Sequence, residues 1–319
     1  MQNVAKRREV QPVVDPGGQP PDPRDICAKV KLMDLGKVSR ELPVLIAGPT
    51  ASGKSALAAE IAARDGRVVV NADALQVYGC WRVLTARPSL VEEAALPHAL
   101  SGHVGRDQAY SVGHWLREVA GLLDRPVVIV GGTGLYFTAL TAGLARVPEI
   151  PAAVRVEADA LRLGDLDAMR AALDAATAAR IDLANPARVQ RAWEVLRATG
   201  RGLVAWQAGA EPALLARRDA EALVLRPAVS WLDARIARRF SAMLEAGALS
   251  EVADEMPFWD PVRPSARAIG AAELREHLLG RITLPQAEQA ARLATRQYAK
   301  RQRTWFRSRM TDWVAVETG

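Results

Sequence analysis

From residue 42 onward, short apolar runs alternate with longer segments in which apolar positions recur at helical spacing. The apolar runs with strand character lie at 42–48, 67–73, 125–134 and 222–227. They are rich in Val and Ile, and helical segments separate them, which predicts a buried parallel sheet with helices on both faces. Because the carboxyl ends of parallel strands meet at one edge of the sheet, we expect the loops after these runs to line one crevice.

Three changes in composition predict the domain organisation. Residues 1–40 are rich in Pro, Gly and charge and contain no continuous apolar run, which predicts a disordered extension rather than a secretion signal. Residues 146–183 are rich in Ala, Arg and Asp and contain no strand candidate, so we interpret them as a helical insertion. Residues 41–145 and 184–310 then form the α/β core, which ends in a basic helix.

Local signals mark the start of two further helices. Asn185 stands before Pro186, a pair that is typical of an N-cap and the first helical position. Residues 230–233 have capping-box spacing, which predicts a helix beginning there and carrying Arg235, Arg238 and Arg239.

The composition excludes several classes of protein. At 319 residues, half of them apolar, the chain can form one large or two modest domains with a sizeable core. It has no apolar run of about 18 residues, so no membrane helix is expected. Cys27 and Cys80 lie far apart, which predicts no zinc site and a reducing compartment. We expect a cytoplasmic, monomeric protein without a membrane partner.

The clearest motif lies between the first apolar run and a helical segment. Gly48, four residues, and then Gly53-Lys54-Ser55 have the spacing of a P-loop, in the strand-to-helix context that this motif requires. In such a loop, backbone N–H groups converge on an anion, the lysine adds a charge and the Ser55 hydroxyl can ligate Mg²⁺. The predicted phosphate-binding residues are Gly48, Pro49, Thr50, Ala51, Ser52, Gly53, Lys54 and Ser55. The fold class that follows is α/β, with a P-loop NTPase-like parallel sheet flanked by helices and a smaller helical insertion.

The acidic residue that usually orders Mg²⁺ in a P-loop kinase or ATPase is missing from its expected place. The apolar run 127–130 leads into Gly-Gly-Thr-Gly rather than an acid. Asp73 is the only acid at the end of an early strand. It can serve as a metal ligand or as a catalytic base, and its position does not decide between the two.

Several segments together resemble the tRNA dimethylallyltransferases, also called tRNA isopentenyltransferases. The matching segments include GPTASGKS (48–55), ADALQVY (72–78), GGTGLY (131–136), RVQRAWEV (188–195), LDARIARRF (232–240) and TRQYAKRQRTWFR (295–307). The resemblance covers about residues 43–307. It implies transfer of a dimethylallyl group from dimethylallyl diphosphate to the exocyclic amine of the adenine just 3′ of the anticodon, at tRNA position 37.

The resemblance also implies roles for individual residues. Asp73 would be the base that takes the proton of the attacking amine, because an aryl amine is a poor nucleophile until it loses that proton. Thr50, the P-loop and Mg²⁺ would stabilise the diphosphate leaving group, and Arg239 would hold it from the other side. Donor and anticodon stem-loop would enter a common channel from opposite ends.

The C-terminal segment predicts a surface for RNA. Residues 292–309 contain seven basic residues and no acidic one, and Arg292, Arg296, Lys300, Arg303 and Arg307 recur at helical spacing. Such a stripe is typical of a phosphate-backbone contact, although a merely solvated face has the same pattern. The predicted tRNA-binding residues are Asp73, Ala74, Leu75, Gln76, Thr133, Arg155, Arg188, Arg191, Arg267, Gly270, Arg296, Lys300 and Arg303.

Departures from the family pattern leave other functions open. Ala74 replaces the usual Ser, residues 97–102 read PHALSG, and residues 270–273 read GAAE instead of Gly-Tyr-Lys-Glu. The alternatives are a P-loop nucleotide kinase, a transferase that prenylates AMP, and an RNA-binding module with a vestigial P-loop. Lys54, Ser55, Asp73 and Arg239 are all intact, which favours the tRNA-modifying enzyme.

Overall fold

A computed structural model describes residues 34–209 and 211–318. Within these residues, six parallel strands form one sheet in the order β3-β2-β4-β1-β5-β6. The strands are β1 (Val44–Ala47), β2 (Val68–Asn71), β3 (His98–Ala99), β4 (Val127–Gly131), β5 (Glu221–Pro227) and β6 (Val314–Thr318). The four predicted strands are therefore confirmed as β1, β2, β4 and β5. The edge strands β3 and β6 were not predicted. Strand β3 has only two residues and β6 is half exposed, so neither has the apolar pattern of a buried strand.

The sheet is buried on both faces, as a parallel sheet with continuous apolar strands requires. Successive side chains of β1 point to opposite faces. Leu45 and Ala47 pack with Phe137 on one side. Val44 and Ile46 pack with other helical side chains on the opposite side. Because β4 pairs in parallel with both β1 and β2, the carboxyl ends of these strands lie at the same edge, together with the P-loop, Asp73 and the Gly131–Gly134 turn.

Helices fill the connections between the strands, and the last four of them lie between β5 and β6. In chain order they are α1 (Lys54–Asp65), α2 (Leu90–Ala95), α3 (Val112–Ala120), α4 (Gly134–Ala142), α5 (Ala152–Gly164), α6 (Leu166–Ala171), α7 (Ala175–Ala178), α8 (Pro186–Thr199), α9 (Leu203–Gln207), α10 (Val229–Glu245), α11 (Ala248–Glu255), α12 (Ala271–Leu278) and α13 (Leu284–Arg309). No described helix is long and apolar enough to cross a membrane.

Three helices, α5, α6 and α7, lie within the predicted insertion at residues 146–183. Its buried side chains Ala158 and Met169 share one small core with Val189 and Trp193 of α8. The side chain of Asn185 accepts hydrogen bonds from the first backbone N–H groups of α8, and Pro186 is its first residue, so this predicted helix start is confirmed. The domain boundaries themselves stay predictions.

One predicted cap is wrong. Helix α10 begins at Val229, with Ala228 as its N-cap and no side-chain capping bond, so residues 230–233 lie inside the helix rather than before it. Spacing alone cannot locate a cap, because the residue also needs a non-helical backbone and Ser230 does not have one.

Of the predicted extension at residues 1–40, residues 1–33 lie outside the described residues, and Cys27 is among them. Residues 34–40 contact the core, since Val38 is buried and the buried guanidinium of Arg67 donates a 2.8 Å hydrogen bond to the carbonyl of Ser39.

Candidate active site

The loop between β1 and α1 has the backbone shape that a phosphate-binding loop needs. Gly53 has φ 90° and Ala51 has φ 62°, both in the left-handed region. A Cβ on Gly48 would lie 2.8 Å from the Ser52 hydroxyl oxygen and 3.1 Å from Leu225 Cβ, so a side chain there would force neighbours to move. The loop thus turns sharply into α1, whose first backbone N–H groups have no partner inside the helix and face the anion position.

Lys54 adds a positive charge to this loop. Its ammonium Nζ donates to the carbonyl of Pro49 at 3.3 Å. Burial lowers the pKa of Lys54 to about 8, and this effect exceeds the opposing attraction of the nearby Asp73 carboxylate. An anion bound in the loop would favour the protonated form of the lysine.

Two long-range hydrogen bonds hold the P-loop in place. Gln302 on α13 accepts from the backbone N–H of Thr50 at 2.8 Å through Oε1, and it donates through Nε2 to the carbonyl of Gly132 at 2.9 Å. Arg235 on α10 donates from Nε to the carbonyl of Ala51 at 2.9 Å. Gln302 therefore joins the P-loop to the turn after β4. The sequence analysis assigned Gln302 no role in the site. A single glutamine within a polar, basic helix forms no motif that would indicate one.

Asp73 is held rigidly at the end of β2. Its backbone N–H donates to Oδ1 of Asn71 at 2.8 Å, and its own Oδ1 accepts from the backbone N–H of Leu75 at 3.0 Å. The amide of Asn71 donates in turn to the carbonyls of Asp73 and Leu100 at 3.0 and 2.9 Å. Asn71 was also missed by the sequence analysis, although it lies within the predicted run 67–73 and is the last residue of β2.

The three residues predicted to be catalytic, Thr50, Asp73 and Arg239, lie around one cavity. Nη1 of Arg239 lies 3.4 Å from the hydroxyl oxygen of Thr50, to which it donates. Burial lowers the pKa of Arg239, and Asp73 partly offsets that effect. The cavity is lined by Thr50, Ala51, Asp73, Leu75, Leu84, Thr85, Ile236, Arg239, Phe240, Met243, Ile269, Thr295 and Tyr298. Their catalytic roles stay predictions, and the structure shows that the three residues share one cavity.

The cavity has a charged part and an apolar part. On α10, Ile236, Arg239, Phe240 and Met243 follow the spacing of one helix face. Arg239 meets the P-loop, whereas Phe240 and Met243 pack in a cluster with Leu84. An anionic group and an attached apolar chain would both find matching surfaces here.

Tyr298 closes part of the cavity on the α13 side. The sequence analysis did not assign it a role. Burial raises the pKa of its phenol, and the nearby Asp73 carboxylate acts in the same direction, so the hydroxyl keeps its proton beside Asp73.

The predicted tRNA-binding residues near the cavity make internal contacts. The hydroxyl of Thr133 accepts from the backbone N–H of Ala74 at 2.9 Å instead of capping α4. The amide Nε2 of Gln76 donates to the carbonyls of Thr85 and Ala86, both at 3.0 Å. Gly270 is buried, and a Cβ there would lie 2.9 Å from Leu84 and 3.0 Å from Phe240, so it packs behind the apolar part of the cavity.

Other predicted tRNA-binding residues lie on the surface away from the cavity lining. Arg155 and Arg267 are exposed. Arg188 and Arg191, on the first turns of α8, form loose ion pairs with Asp182 at 3.8 Å and with Glu194 at 3.7 Å. The structure does not bring these arginines into the cavity with Asp73.

Helix α13 carries the predicted basic stripe from Arg292 to its C-terminal end. At its N-terminal end, Arg292 is neutralised by an ion pair with Glu288 at 2.6 Å. Arg296 and Lys300 are exposed, and among the described residues neither has an ion-pair partner. Arg303 lines a second, surface cavity at the end of β5 and β6. The stripe is therefore available to an anionic partner from Arg296 onward.

The residues of the site fit a metal that is carried mainly by a substrate. No group of three or more His, Cys, Asp or Glu side chains among the described residues could form a metal cage. The Ser55 hydroxyl is exposed at the first turn of α1 and has no hydrogen-bond partner in the described part of the chain. Mg²⁺ typically keeps several waters and binds few protein groups besides substrate phosphates.

Comparison with known proteins agrees with this geometry. The family described as IPP transferase matches residues 76–309. A tRNA dimethylallyltransferase of Cereibacter sphaeroides is 65% identical over 289 residues, which cover 89% of this chain and 92% of that protein. One from Dinoroseobacter shibae is 62% identical over 293 residues, covering 90% of this chain and 99% of its own.

Solved structures share the fold. A tRNA isopentenylpyrophosphate transferase of Bacillus halodurans matches with a TM-score of 0.62 at 29% identity, covering 87% of this chain and 90% of its own. A eukaryotic dimethylallyltransferase acting on tRNA matches with a TM-score of 0.73 at 24% identity, covering 86% of this chain and 73% of its own, and this likeness concerns the fold alone. The chain described here thus belongs to the IPP transferase family.

Proposed function

We propose that this protein transfers the dimethylallyl group of dimethylallyl diphosphate to the N6 amine of adenine at tRNA position 37. The products are N6-dimethylallyladenosine and diphosphate. The observation that carries the proposal is the single cavity in which Thr50, Asp73 and Arg239 meet an apolar lining. The high identity to relatives named tRNA dimethylallyltransferase supports the choice of donor and acceptor.

The charged part of the cavity binds the diphosphate. The P-loop N–H groups, Lys54 and Thr50 contact its oxygens from one side, and Arg239 contacts them from the other. These donors are fixed before the substrate arrives, because Gln302 and Arg235 hold the loop. Preorganised donors stabilise charge as it develops on the leaving group, at no reorganisation cost during the reaction.

Asp73 acts as the base. As N6 forms its bond to the allylic carbon, the bond from that carbon to the diphosphate oxygen breaks, and its electron pair leaves with the diphosphate. The N6 proton passes to the Asp73 carboxylate. The backbone N–H of Leu75 holds Oδ1 of that carboxylate, and Asn71 holds the backbone of Asp73, while Oδ2 lies beside Gly132.

Mg²⁺ is the metal that we propose for the donor. Ser55 would hold it together with diphosphate oxygens and water. When bound, it would neutralise part of the diphosphate charge.

The acceptor is an RNA strand whose target adenine leaves its stack to reach the half-buried carboxylate of Asp73. Its phosphates contact three basic residues of α13, namely Arg296, Lys300 and Arg303. The same strand contacts Arg188 and Arg191 of α8. The cytoplasmic location and the monomeric state expected from the sequence stay predictions.

A labelled-donor assay tests this function. Protein and Mg²⁺ are incubated with radiolabelled dimethylallyl diphosphate and, in parallel, with unmodified tRNA, AMP or ATP. Label in tRNA alone is the expected result. Label in AMP would instead support the nucleotide-prenylating alternative. Phosphate transfer from labelled ATP without prenyl transfer would support the kinase alternative.

A further inference from the structure

The loop that follows Trp81 forms one wall of the donor cavity. Leu84 and Thr85 both line the cavity, and Leu84 is almost fully buried against Phe240. The loop contributes no charged group to the site. Its contribution is therefore the shape of the space beside the apolar chain of a donor.

A single carboxylate holds this loop from behind. Oε1 of Glu251, on α11, accepts from the backbone N–H groups of Arg82 at 2.5 Å and Val83 at 3.0 Å. Oε2 accepts from the backbone N–H of Leu84 at 2.8 Å. Three consecutive N–H groups that converge on one anion form a nest, and charge-assisted bonds of this type are stronger than neutral ones.

The far end of the same loop is held by a different residue. The amide of Gln76 donates to the carbonyls of Thr85 and Ala86. Ala86 has φ 48°, in the left-handed region that alanine rarely adopts. The loop is therefore fixed at both ends, by Glu251 at residues 82–84 and by Gln76 at residues 85–86.

The opposite wall gives the length of the apolar space. Arg239 at the diphosphate and Met243 at the apolar end are four residues apart on α10, which corresponds to about 6 Å along the helix axis. A five-carbon branched chain fits that length. A ten-carbon chain is longer than that span and would reach the side chains of Leu84, Phe240 or Met243, which line the cavity.

We infer that Glu251 is a positioning residue whose carboxylate fixes the wall at residues 82–84 and so limits the donor to a five-carbon chain. The inference rests on the proposed function, because it concerns the donor of that reaction. Glu251 does not line the cavity and takes no part in the chemistry.

The test compares dimethylallyl diphosphate with geranyl diphosphate as donors, with tRNA as acceptor. We expect Glu251→Ala to raise the KM for dimethylallyl diphosphate much more than it lowers kcat. Its preference for the shorter donor, measured as the ratio of kcat/KM values, should fall by roughly tenfold or more, in line with the discrimination that a few methylene contacts provide. Leu84→Ala should lower the preference in the same direction, and Glu251→Gln, which keeps one acceptor oxygen, should give an intermediate value.

The matched control is Asp254→Asn, on the same helix. Asp254 is exposed and has no hydrogen-bond or ion-pair partner within the described residues, so its loss removes one charge without touching the loop. Its donor preference should equal that of the wild type. Thermal melts identify any variant that fails to fold, and if Glu251→Ala is one of them, Glu251→Gln and Leu84→Ala decide the question.

Two results would contradict these ideas, and they are distinguishable. A wild-type protein that prenylates tRNA, with folded Glu251 and Leu84 variants that keep the wild-type preference, would overturn the inference alone. A wild-type protein that transfers neither donor to tRNA would overturn the proposed function and the inference with it.

Discussion

The donor cavity and the basic face of α13 are both candidate binding surfaces, yet they are built in opposite ways. In the cavity, polar groups contact one another through hydrogen bonds, as Asp73 does with Asn71 and Thr50 with Gln302. On α13, Arg296 and Lys300 are exposed and have no ion-pair partner in the described part of the chain. The first arrangement suits a reaction that needs fixed geometry, and the second suits a long polyanion that can be bound in several ways.

This contrast also predicts how the two regions respond to substitution. A change in the cavity should act on turnover, because preorganised groups work as a unit. A change on α13 should lower the affinity for tRNA. Each substituted basic residue should contribute a small, additive decrease that depends on the salt concentration.

The largest expected effect is that of Asp73→Asn. The amide keeps the size of the side chain but cannot accept the N6 proton, so kcat should fall by about 10²–10⁴-fold. Donor affinity, measured by calorimetry without tRNA, should change little. Turnover near the wild-type rate would exclude Asp73 as the base and would remove the main reason to regard the cavity as a catalytic unit.

Replacing Arg296, Lys300 and Arg303 together by alanine should have the next largest effect. We expect tRNA affinity to fall by an amount on the order of tenfold to a hundredfold, and the slope of log affinity against log salt to fall by about one for each phosphate that the variant no longer neutralises. The control is alanine at Arg125, Arg146 and Arg218, which are exposed and lie on other elements. An equal decrease in affinity for both triple variants would mean that only net charge matters.

The pH dependence of donor binding should be smaller. With the pKa of Lys54 at about 8, the free protein loses this positive charge as the pH rises through 8. Bound diphosphate favours the protonated lysine, so donor affinity should be constant below pH 8 and should weaken above it, approaching tenfold per pH unit. Calorimetric titrations of the donor from pH 6.5 to about 9.5 measure this. A flat profile would show that the lysine charge does not contribute to donor binding.

The smallest effect concerns the backbone of the P-loop. Ala51 has φ 62°, which costs alanine about 1–2 kcal/mol but costs glycine little. Ala51→Gly should therefore change the free energy of unfolding by no more than about 1 kcal/mol, in the stabilising direction. Ala51→Val should destabilise the protein, because a branched side chain tolerates this conformation less well. Chemical denaturation of the three proteins checks the order, and equal stabilities would show that the loop relaxes.

Local patterns were sufficient for the four inner strands of the sheet and for the phosphate loop. The apolar runs are strands, Asn185 is a cap, and the residues with P-loop spacing form a sharp loop between β1 and α1. Each of these features depends on residues within a few positions of one another. The cap predicted at residues 230–233 is wrong, because the side-chain spacing was present but the backbone was already helical.

The sequence by itself thus determined the α/β class, the phosphate loop, the acid at the end of β2 and the basic character of α13. Only the tertiary structure decided which distant side chains support them. Gln302 lies 252 positions from Thr50, and Glu251 lies 167 positions from Leu84, and neither stands in a motif that names its partner. The physical reason is that a hydrogen bond requires a distance and an angle between two groups, and for groups so far apart in the chain these are set by the packing of the whole fold.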